Sequence, residues 1–233
     1  MPLPAGFISA PWCAPLRTAW ARIAPEGPVA ARLNAADCPV RQFVPQAALP
    51  EGEAYEAFIA RTSQVPTRDN AHDLLNGLLW CAQPERKLRL NALQAAAIAV
   101  QGVAAQRGPL RDALTLFDEN GAWWPDCPEP IRQAWLQRDW RTMFLTHRAL
   151  WRTRQPQLFG HALLEQLALG PRKGLCAHVL LGDPLELSAE QWAAKPFMPL
   201  PVLGVPGWWP ANEAPAFYDD AAVFRPLRRG ADA

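Results

Sequence analysis

The sequence predicts an α+β fold, predominantly helical, with a small antiparallel sheet or hairpin and an extended Pro/Trp-rich C-terminal arm. Three observations predict it. Apolar residues recur at spacings of three and four over residues 53–106 and again over 130–169. Two short apolar runs, 113–117 and 175–181, break that period. Prolines at 196, 199, 201, 206, 210, 215 and 226 then forbid a regular helix, while the aromatics among them argue for burial. We expect one globular domain over 1–233: a proline-punctuated region (1–52), a helical body (53–195) and an arm (196–233).

Residues 1–52 give little beyond a plausible helix over 15–23 and a loop at Pro45, Pro50 and Gly52. The body opens with a helix that places Tyr55, Phe58 and Ile59 on one face and stops before Pro66. A second helix over 70–81 presents Leu74, Leu75, Leu78 and Leu79. A third starts at Pro84, well suited to a first turn, and runs through Leu90, Leu93, Ala97, Val100 and Val103 to Gln106. Gly108-Pro109 ends it.

Asn120-Gly121, between 113–117 and Ala122-Trp123-Trp124, is a strong hairpin signal, because both residues tolerate positive φ. We therefore expect a β-hairpin near 113–124. Helices follow over 130–137, over 139–153 with Asp139 as N-cap and a stripe of Trp140, Phe144, His147 and Trp151, and over 157–169. Residues 175–181 read as a buried strand. Ser188 and Gln191 have capping-box spacing for a short helix over 188–194. In the arm, Leu200, Val202, Leu203 and Val205 need cover, so we expect it to wrap the body; the alternative is a polyproline ligand at Pro196 and Pro199.

The charge balance excludes several classes. Lys+Arg total 23 against 22 Asp+Glu, a net charge of +1, so no nucleic-acid partner is expected. Lys87, Lys173 and Lys195 are the only lysines in an arginine-rich chain. Cys13, Cys38, Cys81, Cys127 and Cys176 are odd in number and widely spaced, which fits reduced thiols. No apolar run is long enough to span a bilayer, and the N-terminus makes a poor signal peptide, so no membrane is expected and the default location is cytoplasmic. A protein partner or a homo-oligomer remains open.

The densest polar cluster is Asp69, His72, Asp73 and Asn76, at offsets of three and four, which places them on one helix face. A carboxylate–imidazole–carboxylate–amide face suits a divalent metal or an acid–base pair. It equally suits capping, since Asn70 and Asp73 have N-cap and N3 spacing. Arg111 and Asp112 read as a buried ion pair or, with Arg111 outward, as an anion clamp. Asp118, Glu119 and Asn120 look like turn chemistry, with metal binding as a lesser option. His161 shares a face with Glu165, as one edge of a metal site or a hydrogen-bonded pair. His147 and His178 read as core histidines; Cys176 beside His178 is a remote nucleophile pair.

Four strings occur together in this order: Val65-Pro-Thr-Arg-Asp-Asn-Ala-His-Asp73, Leu90-Asn-Ala-Leu-Gln94, Arg107-Gly-Pro-Leu-Arg-Asp-Ala-Leu-Thr-Leu-Phe-Asp-Glu-Asn-Gly121 and Phe159-Gly-His-Ala-Leu-Leu-Glu165. With Val205-Pro-Gly-Trp-Trp-Pro-Ala-Asn-Glu213 and Phe217-Tyr-Asp-Asp220, they resemble a bacterial family catalogued as domain of unknown function 3025. The resemblance covers most of the chain from about Phe58 onward. It implies no activity, cofactor or catalytic residue.

Two functional expectations follow. The first is a hydrolase-like pocket with Asp69, His72, Asp73, Asn76, Arg111 and Asp112 as catalytic candidates, and His72, Asp73 and His161 as candidate ligands of a divalent metal. His72 would act as ligand or general base, Asp73 as its orienter and Arg111 as anion clamp. The second is a non-catalytic interaction module built on the Trp-rich arm.

Overall fold

The computed structural model describes residues 3–38, 42–102 and 108–227. The expected end of the third helix at Val103 and Gln106, and Arg107, lie outside them. Two short helices lead, α1 (Arg17–Trp20) and α2 (Val29–Asn34), followed by β1 (Gln42–Pro45). Next come α3 (Tyr55–Thr62), β2 (Gln64–Thr67), α4 (Ala71–Ala82) and α5 (Pro84–Gln101). Then follow α6 (Pro109–Asn120), β3 (Gly121–Trp123), α7 (Glu129–Leu136), β4 (Gln157–Leu158) and α8 (His161–Leu169). The chain closes with β5 (Cys176–Leu180), α9 (Ala189–Ala193) and β6 (Phe197–Pro201), then short 3-10 turns. The fold is α+β and predominantly helical.

The sheet is mixed, in the order β4-β3-β5-β6, with β3 parallel to β5 and the outer pairs antiparallel. A separate parallel pair joins β1 to β2. One core cluster gathers Trp124, Trp135, Trp151 and Phe144, with Trp124 and Trp151 ring centroids 4.9 Å apart. A second packs Leu90, Leu114, Phe117, Trp123, Phe159, Leu180 and Trp192 between helices and sheet.

The expected hairpin near 113–124 is instead the junction of a helix and a strand. Ala113, Leu114 and Phe117 are fully buried along one face of α6, and that helical stripe outweighs the β preference of the run. Gly121 has φ −79° and ψ 156°, so positive φ is not its purpose. Its role is close approach: a Cβ there would stand 2.3 Å from the Phe117 carbonyl oxygen.

Two expected helices also differ. Residues 157–169 begin as β4, and α8 starts only after Gly160. Over 139–153, Asp139 Oδ1 does accept the Thr142 N–H at 3.0 Å. A π turn (Thr142–Thr146) and a 3-10 turn (Arg148–Arg152) then follow. The wider turn takes His147 off the core stripe and leaves it half-buried. His178 is half-buried too, and Cys176, pushed up to about 11 by burial, is an unactivated thiol. The Ser188 capping box of α9 is present as expected.

The arm covers the body. Leu200, Val202, Leu203 and Val205 are fully buried, and Pro199 lies in β6 instead of a free polyproline helix. Trp208 Nε1 donates to Gln155 Oε1 at 2.8 Å. Asn212, fully buried, donates from Nδ2 to the Leu203 and Val205 carbonyls at 2.8 Å each. Asn212→Ala strands both acceptors and is expected to cost about 2 kcal/mol, read by urea unfolding.

Candidate functional site

A cavity of about 320 Å³ lies between α3, α4, α5, α6 and the start of α8. Each helix contributes through its own spacing. His72, Asp73, Asn76 and Trp80 come from α4; Lys87, Asn91 and Gln94 from α5; Thr115, Asp118 and Glu119 from α6. His161 is the first residue of α8.

Two glycines bring α6 and α8 together. The Phe159 and Gly160 N–H groups both donate to the Gly121 carbonyl, at 2.9 and 2.8 Å. A Cβ on Gly160 would sit 2.5 Å from the Glu119 carbonyl oxygen and from Asn120 Cα. This backbone contact sets His161 beside the acidic pair ending α6.

The centre of the site is a pair of imidazoles. His72 Nε2 and His161 Nε2 stand 3.0 Å apart, with rings edge-on at a 4.4 Å centroid separation. Glu119 Oε2 lies 3.4 Å from His161 Nε2. One ligand atom from each of His72, Glu119 and His161 falls within 4.8 Å of the others. Behind each imidazole stands a carboxylate: Glu165 Oε2 at 2.9 Å from His72 Nδ1, and Asp118 Oδ2 at 3.8 Å from His161 Nδ1.

The tautomers decide what can lie between the two imidazoles. With Nδ1–H donated to Glu165, His72 Nε2 carries a lone pair. If His161 holds its proton on Nδ1, toward Asp118, two lone pairs confront each other across 3.0 Å. If it holds it on Nε2, it donates to His72 Nε2, and its Nδ1 lone pair stands 3.8 Å from Asp118 Oδ2. A cation between the two Nε2 atoms and Glu119 removes the conflict in the first arrangement. Two nitrogens on one zinc ion at about 2.0–2.1 Å would be about 3.3 Å apart at a tetrahedral angle, close to what is found. Burial pushes His161 down to about 4, so its imidazole is neutral.

Lys87 supports the site from beneath. It is 4% exposed and donates to Asn76 Oδ1 at 2.7 Å and Asp118 Oδ1 at 2.6 Å. Burial alone would raise the Asp118 carboxyl, but the Lys87 ammonium holds it below the ordinary value. Asn76 Nδ2 donates to Tyr55 Oη at 3.2 Å, which leaves the phenol proton available to a ligand. Burial and the nearby Asp118 and Asp73 raise Tyr55, so that proton stays in place.

The structure distributes the residues singled out in the sequence unevenly. His72, Asp73, Asn76 and His161 line the cavity. Asp73 turns away from the imidazoles: its carboxylate accepts from the Arg68 backbone at 2.6 Å and from the Arg68 guanidinium at 3.0 Å, while its own N–H donates to the Asn70 cap at 2.7 Å. Glu119, not Asp73, stands with the two histidines. Asp69 lies outside this cavity, accepting the Val29 N–H at 2.7 Å as a cap of α2. Arg111 is buried but does not line the cavity. Asp112 is exposed and pairs with Lys195 instead of Arg111. Glu165 bonds His72, not its helix neighbour His161.

Asp118, Glu119, Glu165, Lys87 and Tyr55 complete the arrangement. Read as a helix, Thr115, Asp118 and Glu119 share a face, which the hairpin reading hid. Lys87 had a signal of its own, a lysine in a chain that otherwise uses arginine. A compact ammonium fits between Asn76 and Asp118 where a planar fork would not.

The chain matches the family described as Protein of unknown function (DUF3025) over residues 41–184 and 181–228. The chain belongs to that family. The matched region contains every residue of the cavity, from Gln46 to His161. No curated protein and no solved structure matches the chain. No helix among the described residues is long and apolar enough to cross a membrane.

Proposed function

We propose that this member of the family is a metal-dependent hydrolase of a small molecule, with one divalent ion held by His72, His161 and Glu119. One observation carries the reading: two imidazole nitrogens converge with a carboxylate at the wall of a cavity, each imidazole backed by a further carboxylate. The Glu165 carboxylate, hydrogen-bonded to His72 Nδ1, would fix that ligand's tautomer and raise its basicity. Two histidines and one glutamate leave coordination positions open, as catalytic zinc sites do.

A divalent ion held by His72, His161 and Glu119 would lower the pKa of water and act as a Lewis acid toward a carbonyl. The protein's own groups do the rest. Tyr55 O–H donates to the oxygen that gains charge. Lys87 and Asp118, paired with each other, keep the floor of the site neutral. Arg68, tied to Asp73, stands at the exposed edge of the cavity. The alternative, an interaction module using the arm, loses its anchors to the core, since Trp208, Tyr218 and Phe224 are buried there.

Chelator treatment followed by zinc, manganese, cobalt or iron(II) add-back tests the reading, with bound metal measured by plasma emission and hydrolysis by a panel of ester and amide substrates. The expected result is one ion per chain and activity that follows it. A chain that takes up no stoichiometric ion overturns the reading. Glu165→Gln is expected to weaken metal affinity by roughly 10–100-fold with the fold intact, read by competition with a chromophoric chelator.

A further inference from the structure

We propose that the substrate carries a carboxylate, and that the free end of the Arg68 guanidinium, at the mouth of the cavity, receives it while the bond to be broken lies at the His72–His161–Glu119 centre. The proposal deepens the hydrolase reading and rests on it for the reacting end of the substrate.

Arg68 lines the cavity together with His72 and Asp73. Its guanidinium is engaged on one edge only. Nε donates to Asp73 Oδ2 at 3.2 Å and Nη2 to Asp73 Oδ1 at 3.0 Å. These bonds use the side-on edge and leave the second N–H of Nη2 and both N–H groups of Nη1. Nη1 has no partner among the described residues. The open Nη1–Nη2 edge is a planar fork that takes a carboxylate through two parallel bonds. The fork is also held in position. The Asp73 side chain is 8% exposed, accepts the Arg68 backbone N–H at 2.6 Å, and stands on a residue whose own N–H donates to the Asn70 cap at 2.7 Å. Little freedom is then lost when an anion binds.

Position and charge narrow the ligand further. Lys87, which also lines the cavity, is 4% exposed and bonded beneath the site to Asn76 and Asp118. The Arg68 side chain is 59% exposed, so an anion arriving from solvent meets it first. Charge then selects among anions. Glu56 and Glu119 line the same cavity, and Asp73 already offsets part of the Arg68 charge. A phosphate dianion would face those carboxylates with one arginine to hold it. A carboxylate brings half that charge, and its flat O–C–O group matches the fork. A volume of about 320 Å³ fits a small molecule, not a polymer segment. The ligand is then a small monoanion whose hydrolysable bond lies inward of its carboxylate.

The test uses the full chain and a graded set of probes: N-acetylglycine, N-acetyl-β-alanine and N-acetyl-γ-aminobutyrate, each with its primary carboxamide, and inorganic phosphate. Binding is read by ligand-observed NMR on zinc-free protein, where no bound ion can take the carboxylate; zinc uptake is measured separately. The best-bound acid is expected to bind at least about five-fold more tightly than its carboxamide, and more tightly than phosphate, with the preference shrinking as sodium chloride is raised. Arg68→Gln is expected to abolish the preference and leave zinc stoichiometry unchanged. Arg68→Lys, which keeps the charge and loses the fork, is expected to reduce the preference at least about three-fold, and decides alone if Arg68→Gln does not fold. A pair with Asp73 that served structure only would lower the melting temperature of the variants without moving the acid-to-amide ratio; that result overturns the proposal. So do equal binding of acid and carboxamide throughout the set, preference for phosphate, or no binding of any acid. Wild-type protein that selects the acid but takes up no zinc would remove the metal reading alone; uptake of zinc without selection would remove this one alone.

Discussion

Gly160→Ala is expected to destabilise the protein by about 3 kcal/mol and to lower its melting temperature by roughly 6–12 °C. The added Cβ would meet the Glu119 carbonyl oxygen and Asn120 Cα at 2.5 Å, and the Asn120 nitrogen at 2.6 Å. These are backbone atoms of the last turn of α6, so no side chain can rotate away. The helix and α8 must separate, and His161 moves from Glu119 and Asp118 as they do. Metal affinity is therefore expected to fall with stability. Gly174→Ala is the control, because its Cβ would meet only Val223 Cγ2, at 3.9 Å. Scanning calorimetry of both variants, with and without zinc, measures the difference.

The second large effect is on the metal. His161→Ala removes one of the two imidazoles we propose as ligands and is expected to weaken zinc binding by at least about 100-fold. Asp69→Asn is the matched comparison. It lies on the same stretch of sequence as His72, but its carboxylate caps α2 in a different crevice. It is expected to leave zinc stoichiometry unchanged while costing about 1 kcal/mol as a weakened cap. Isothermal titration with zinc separates the two variants. Equal zinc affinity in His161→Ala and wild type would remove the site.

Local chemistry was the legible part of the sequence. The Asn70 cap, the capping box at Ser188 and the apolar face of α4 depend on neighbours within four residues, and sequence carries those directly; the stripe expected along α5 does not hold, since Val100 is 85% exposed and the buried face carries Lys87, Leu90, Asn91, Gln94 and Ile98. The buried arm was legible because exposed Leu200, Val202 and Leu203 would have no physical justification. The hairpin failed because residues 113–117 form a buried helical face and Gly121 serves close approach, not positive φ. Glycine at 160 permits close approach to the end of α6, about 40 residues away, and glycine at 121 permits close approach to the Phe117 carbonyl one turn back, needs that look identical in sequence to a need for positive φ.

The same failure obscured half of the site. Placing Asp118 and Glu119 in a turn removed them from any helix face, so the carboxylate sought for His72 was Asp73, its immediate neighbour. In the structure adjacent residues of α4 point to different partners, and His72 finds Glu165 from 93 positions away. His72 and His161 were each singled out, but nothing local could show that they meet. Lys87 was visible as an exception to the arginine bias, and its burial explains the exception.

Zinc-edge X-ray absorption of the loaded wild-type protein tests the central claim most directly. The account predicts one ion per chain, with two imidazole nitrogens and a carboxylate oxygen at about 2.0–2.2 Å, and loss of one imidazole shell contribution in His161→Ala. A first shell without imidazole, or a spectrum unchanged by that substitution, would contradict it.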